Sequence, residues 1–327
     1  MAEYIGKLSD DRLASCSRLA AIMGLSKHST YIDELIKSMK AIDAGQARID
    51  RGEAPISEPA AWGIKFENPI LEEGCKRLGL KMNPSVTEVY KADDLELQFS
   101  ADAELFGDGR VIEHNPSKGI YVCNPTGRIK LEGSGVGEAK ATGARPTTEP
   151  APYRGLWQAH GGMMCTGWKW GAIFTLFGVM ELRIFLLEWD DTMNQHIRKH
   201  VIDFTSRLEG YKRNGVIDYP PAMSPDDGAA AYATAEEDAP EIELDSTGSD
   251  LAYQIIEARK TIRACEEIVA GATSSLMDTM GNHTRARYQD KLELIWGKTK
   301  ARKEYTVKAR PEARAKSIRI KEIDHAK

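Results

Sequence analysis

In the stretch "GVGEAKATGARP", residues 135–146, Glu138 and Lys140 stand two positions apart. On a strand that spacing turns both side chains to one face, so a carboxylate and an ammonium share one small volume. An exposed ion pair and a catalytic pair are spelled the same way, and the accompanying residues separate them. Phosphodiester cleavage needs a hard divalent cation, which lowers the pKa of its water and neutralises charge developing on the phosphate. Such a cation requires two or three carboxylates converging from different elements, with a cationic side chain to hold the attacking water. The chain offers that set in order: Glu67 on a predicted helix, Asp102 in "FSADAEL" at a strand end, then Glu138 and Lys140 on the following strand.

The elements that must position these groups follow from apolar periodicity. "SRLAAIMG" (17–24) reads as a short helix with Ser17 as its cap and Gly24 as its stop. "TYIDELIKSMKAIDAG" places Ile32, Leu35, Ile36 and Met39 on one helical face. A third helix runs from about Pro59 to Leu78, with Trp62, Phe66, Ile70 and Leu71 as its stripe, Pro69 as a bend, and Glu67 beside the stripe. From Val86 the pattern turns strand-like. "LELQFSADAEL" reads as one strand, "GIYVCNPTGRIKLEG" as a hairpin about Asn124–Gly127, and "VGEAKAT" as the next strand. A helix "LWQAHGGMMCTG", two apolar strands "GAIFTLFG" and "MELRIFLLEWD", and an amphipathic helix carrying Met193, Ile197, Val201, Phe204 and Leu208 complete a mixed sheet with helices on its faces. Three regions result: a core over 1–212, an acidic, Pro-containing linker or strap over 213–250, and a helix with a basic hairpin over 251–327. Trp157, Trp168 and Trp170 read as core packing before base stacking.

Composition bounds the alternatives. The chain has 327 residues, 42% hydrophobic, with a net charge of −5, so any polyanion must be met by a local patch and not by global attraction. Residues 218–250 hold ten acids and no Lys or Arg, whereas 284–327 hold 14 Lys and Arg against six acids. The basic tail either binds DNA or pairs with the acidic strap. Five scattered cysteines with no C-x-x-C pair signal neither a disulfide framework nor a zinc or iron–sulfur site; buried free thiols are expected. Neither a signal peptide nor an apolar run of bilayer length is found, so a soluble, cytoplasmic protein with no membrane partner is expected.

Five pieces in order, "SRLAAIMGLS", "WGIKFENPILEE", "SADAEL", "GEAKAT" and "LWQAHGGMMCTG", resemble the PD-(D/E)XK nucleases of the YqaJ-type viral recombinase, lambda-exonuclease-like family over nearly all of residues 10–210. The resemblance implies an α/β fold with a restriction-endonuclease-like core and a C-terminal helix-plus-hairpin extension. It implies Mg²⁺, replaceable by Mn²⁺, held by Asp102, Glu138 and the Ala139 carbonyl, with Glu67 joining through a second metal or its waters. Lys140, its pKa lowered by burial and metal, would hold the nucleophilic water, and Gln158 would orient Lys140 or the scissile phosphate. Ser100, His160, Ser17 and Arg12 fall near the family's phosphate-contacting positions, although Ser17 serves equally as a helix cap and His160 equally as a satisfied core residue. The implied activity is 5′→3′ exonuclease action on double-stranded DNA ends, leaving 3′ single strands for an annealing protein in phage or prophage recombination, by a ring-shaped homo-oligomer, a trimer. A structure-specific or restriction-type endonuclease on the same core, and a non-catalytic DNA-end-binding scaffold, are the rivals. Two departures stand out: "ADA" replaces the family's Pro-Asp-Gly, and Asp102 and Glu138 lie 36 positions apart, which implies an inserted hairpin near 108–134.

Overall fold

Two apolar periods alternate along the chain, and each forms the element that period dictates. The computed structural model describes residues 9–45, 57–84, 86, 88–178, 180–233, 240–289 and 291–296, which fall into two units, 1–231 and 232–327. The first unit runs β1 (Ala14–Ser15), α1 (Leu19–Ile22), α2 (Tyr31–Asp43), α3 (Glu58–Leu78), β2 (Lys81–Asn83), β3 (Tyr90–Lys91), β4 (Leu97–Phe99), β5 (Ala103–Glu113), β6 (Ile120–Val122), β7 (Arg128–Thr142), α4 (Trp157–Thr166), β8 (Trp170–Phe177), β9 (Glu181–Glu188), α5 (Asp191–Asn214) and α6 (Pro225–Ala231). The second holds α7 (Ser246–Met280) and a two-stranded hairpin of β10 (Arg285–Tyr288) and β11 (Leu292–Ile295). The remainder of the basic tail, from residue 297, lies outside the described residues.

Local signals account for the helix ends. Thr30 and Asp33 form a reciprocal capping box at the start of α2. Asp190 accepts from the Thr192 and Met193 amides at the start of α5. Gly79 ends α3 in the left-handed conformation. Pro69 is carried inside α3 without ending it.

The main sheet is mixed, in the order β2-β5-β7-β8-β9-β6, with β7–β8 and β9–β6 parallel and the other pairs antiparallel. A separate small sheet runs β1-β4-β3. Alternate residues of the main sheet feed two cores. Val136, Ile173 and Phe185 pack with residues of α1, α2, α4 and α5, whereas Leu105, Ala172, Phe174 and Ile184 pack against Ile70, Leu71 and Cys75 of α3. Gly74 is what brings α3 so close: a Cβ there would stand 2.1 Å from the Phe174 ring.

Several expectations are corrected. The predicted hairpin about Asn124–Gly127 does not form, because β6 leaves to pair with β9 at the far edge while β7 pairs with β5. The "VGEAKAT" strand and the one before it are a single strand, β7, of 15 residues. "LELQFSADAEL" is instead broken at Ser100–Asp102, between β4 and β5. The 36-residue separation of Asp102 from Glu138 is therefore a lengthening of β5 and β7, with a bulge between Asp108 and Arg110, plus the excursion that carries β6. The helix expected over 17–24 is a 3-10 turn, Cys16–Arg18, running into α1, and Ser17 does not cap it. In α3, Trp62 stays outside the core and stacks on Phe66 at 5.4 Å. Cys16, Cys75 and Cys165 are buried, but Cys123 and Cys265 are exposed.

Candidate active site

Strand β7 pairs with β5 only as far as Gly137, opposite Ala103, and continues to Thr142 beside β8 alone. The amide that β5 would otherwise have met, that of Ala139, donates instead to Asp102 Oδ2 at 2.8 Å. The missing proline and turn glycine of "ADA" thus leave the carboxylate in place at the start of β5, where it substitutes for a strand partner. Glu138 and Lys140 share the face of Val136, and the Lys140 ammonium donates to Glu138 Oε1.

Glu138 is fully buried, and its Oε2 has no hydrogen-bond partner among the described residues. Burial pushes its pKa well up, the Asp102 carboxylate beside it pushes the same way, and only Lys140 opposes. The Asp102 carboxylate thus stands beside Glu138 and opposes its ionisation. Glu67, reaching in from α3, is raised to about 7 by burial and by the Asp102 charge, against the pull of Lys140. Burial alone would lower Lys140, but Glu138, Asp102 and Glu67 outweigh it and the ammonium is held above its ordinary pKa. The expected lowering is not produced by these side chains. Three carboxylates and one amine are thus brought into electrostatic contact from three segments of the chain.

Beside Lys140 opens a cleft of about 330 Å³, lined among others by Ser17, His28, Arg154, Trp157 and Gln158. Gln158 is delivered by the first turn of α4, as the sequence places it. Arg154 was not singled out from sequence. It sits in an irregular turn ahead of α4, extended at φ −144°, ψ 89°, and Gly155 follows at φ 88°, a conformation that strains any residue with a Cβ. That turn swings the guanidinium back to donate to Ala141 O at 2.9 Å, on the strand that carries Glu138 and Lys140. The signal was present in "YRG" before an apolar helix. Tyr153 in the same turn carries Lys27 over its ring at 4.4 Å, so a second cation stands at the rim.

The remaining candidates are placed elsewhere. Arg12 is committed to Asp10, whose Oδ2 accepts from Nη2 at 2.7 Å, and does not line the cleft. Ser100 lies in the link before Asp102. His160 is buried one turn along the inward part of α4, its Nδ1 without a partner among the described residues, and burial lowers its pKa to about 4.

The donor set fits a hard divalent cation in its chemistry: it is all oxygen, and an unpartnered buried carboxylate oxygen faces a second carboxylate. It is not a ready-made cage, for among the described residues no three His, Cys, Asp or Glu side chains stand together in ligating geometry. Among the described residues no helix is long and apolar enough to cross a membrane.

No protein-family model and no curated protein matches the sequence. Solved structures to which the chain is similar include LHK-Exo in complex with dAMP, at 15% identity and TM-score 0.43, covering 62% of this chain and 90% of that one. They also include LHK-Exo, described as an alkaline exonuclease from Laribacter hongkongensis, at 16% identity and TM-score 0.44, covering 62% and 93%. A third is a phage related exonuclease from Haemophilus somnus 129PT, at 12% identity and TM-score 0.40, covering 62% and 96%. At such distances the chemistry must be read from the side chains of the cleft.

Proposed function

We propose that the chain is a metal-dependent deoxyribonuclease with a PD-(D/E)XK core that degrades duplex DNA from its ends. The observation that carries this reading is the buried, unpartnered Oε2 of Glu138, set against Asp102 with Lys140 on the same strand. A protein interior tolerates such a grouping only if a cation or a proton completes it. Asp102, Glu138, the Ala139 carbonyl and Glu67 would hold Mg²⁺, or Mn²⁺ in its place. When bound, the ion supplies a Lewis acid that acidifies water and neutralises charge on the phosphate.

The chain's own groups do the rest. Lys140, kept protonated by three carboxylates, holds the nucleophile by donation and stabilises negative charge developing on the phosphate. Arg154 and Gln158, on the cleft wall, position phosphate oxygens, with the guanidinium offering a fork of donors that suits them. The 5′→3′ direction, a ring-shaped trimer and a single-strand annealing partner come from the family resemblance of the sequence and belong to the same proposal. Enclosure by a ring would let a chain of net charge −5 keep hold of DNA.

The test is digestion of a duplex labelled at one 5′ end, with and without a 5′-phosphate, and of a covalently closed circle, in Mg²⁺ and in EDTA. Wild type should degrade only the linear substrate and only with the metal, and Lys140→Ala should lose at least about 100-fold in rate. Cleavage of the circle would replace the exonuclease by an endonuclease. Equal inertness of wild type and Lys140→Ala, with DNA ends still bound, would make the chain a scaffold.

A further inference from the structure

Helix α7 is 35 residues long, and apart from Met280 none of them is buried. In proteins most helical stability comes from packing of an apolar face and not from propensity. Such a face is present. Ile255, Ile262, Val269 and Leu276 recur every seven residues, and Leu251, Ala258, Cys265 and Ala272 recur every seven, four residues ahead of them. These are the a and d positions of four heptads, with branched or large residues at a and small ones at three of four d positions. The a-position side chains are between 39% and 64% exposed. No charge falls on either row. Glu257, Lys260, Arg263 and Glu267 lie on the outer face and pair along the helix, Lys260 with Glu257 at 2.9 Å and Arg263 with Glu267 at 3.4 Å.

We propose that α7 pairs with the α7 of a second copy of this chain as an antiparallel two-stranded coiled coil, centred between Arg263 and Ala264. The occupant is identified by size complementarity. In that register Ile262 meets Cys265 of the second copy, Val269 meets Ala258, Ile255 meets Ala272, and Leu276 meets Leu251. Three of these four layers set a large residue against a small one, and each occurs twice about the two-fold axis. Parallel pairing would stack Ile on Ile in one layer and Ala on Ala in the next, which helices at constant separation cannot fill. The centre also coincides with the middle of the helix, residue 263, so both copies overlap over nearly their whole length. The same register brings Arg259 of each copy to Glu266 of the other. Eight such layers span about 38 Å of axis and bury on the order of 1,500 Å², the area of a specific interface. This pairing is independent of the nuclease reading, which concerns the other unit.

The experiment uses the full chain. By sedimentation, Ile262→Asp with Val269→Asp should halve the solution mass and weaken association at least 100-fold, while the melting of the first unit is unchanged. Orientation is read in a Cys123→Ser, Cys265→Ser background carrying Ala258→Cys and Val269→Cys. These two positions are 11 residues apart on one helix, so no bond closes within a chain. Oxidation should give a covalent dimer linked 258 to 269, identified by mass spectrometry of the joined peptides. An unchanged mass on the double Asp substitution, a 258–258 or 269–269 link, or no covalent dimer would each overturn the proposal.

Discussion

The Asp102 carboxylate accepts the Ala139 amide hydrogen at 2.8 Å, at the point where β7 runs past the last residue of β5 that can pair with it. One side chain therefore does two jobs: it closes a backbone hydrogen bond and contributes negative charge beside Glu138. The two jobs are separable. Asp102→Asn keeps an acceptor oxygen and removes the charge, so the chain should melt no lower than wild type while nuclease activity falls at least about 100-fold. Asp102→Ala leaves the amide without a partner and should cost about 1–3 kcal/mol as well. Denaturant melts and a rate assay on both variants check this; an Asn variant as unstable as the Ala variant would refute the division.

Glu138 Oε2 supplies the second prediction, since a buried carboxylate oxygen with no hydrogen-bond partner is relieved by a cation that binds the folded chain alone. Mg²⁺ at one hundred times its dissociation constant should stabilise the first unit by about 2.7 kcal/mol, raising its melting temperature by roughly 5–10 °C over an EDTA control. Glu138→Gln should abolish the increment. An equal increment in the variant would place the ion elsewhere.

How far the site could be read from sequence depended on how local its causes are. Glu138 and Lys140 share a face because of strand period alone, and Gln158 is set by the start of α4, so their neighbourhood was legible. The fold of α2, α3 and α5 was legible for the same reason: caps and apolar stripes are written in consecutive residues. The path of β6 was not, because "NPTG" is a sound turn and nothing nearby says that the preceding strand prefers β9, some 64 residues on, to its neighbour. Arg154 was missed since its position depends on a positive φ at Gly155, and the protonation of Lys140 since it depends on three carboxylates summed in space.

The glycine pair in α4 gives the third prediction. A Cβ at Gly161 would stand 2.6 Å from Leu19 Cδ1 and 2.8 Å from Cys16 Sγ, and one at Gly162 would stand 2.7 Å from the Phe99 ring. These contacts seat α4, and with it Gln158, against the elements that precede Asp102. Gly161→Ala and Gly162→Ala should each destabilise by about 1–3 kcal/mol despite the better helix propensity of alanine. Both should also lower the rate per folded molecule, because α4 must move outward. Gly210→Ala, where nothing lies within 4 Å of the added Cβ, is the control and should be neutral or stabilising.

His160 yields the last prediction. Burial lowers its pKa to about 4, whereas the unfolded chain takes up the proton near the ordinary imidazole value of about 6.5. As pH falls below that value the unfolded state binds the proton first, so the contribution His160 makes at neutral pH is lost progressively until pH reaches about 4. The full loss is about 3 kcal/mol. Glu67, raised to about 7, acts in the opposite sense over much of the same range, because there the folded state is the one that binds the proton. A wild-type profile alone would mix the two. The informative quantity is the stability difference between wild type and His160→Gln, measured by urea unfolding from pH 7 to 4.5. Any fixed cost of the substitution cancels in its slope, and the variant should gain on wild type by roughly 2 kcal/mol across that range. A flat difference would mean that the imidazole takes up its proton at the same pH in the folded and unfolded chain, and that burial does not govern it.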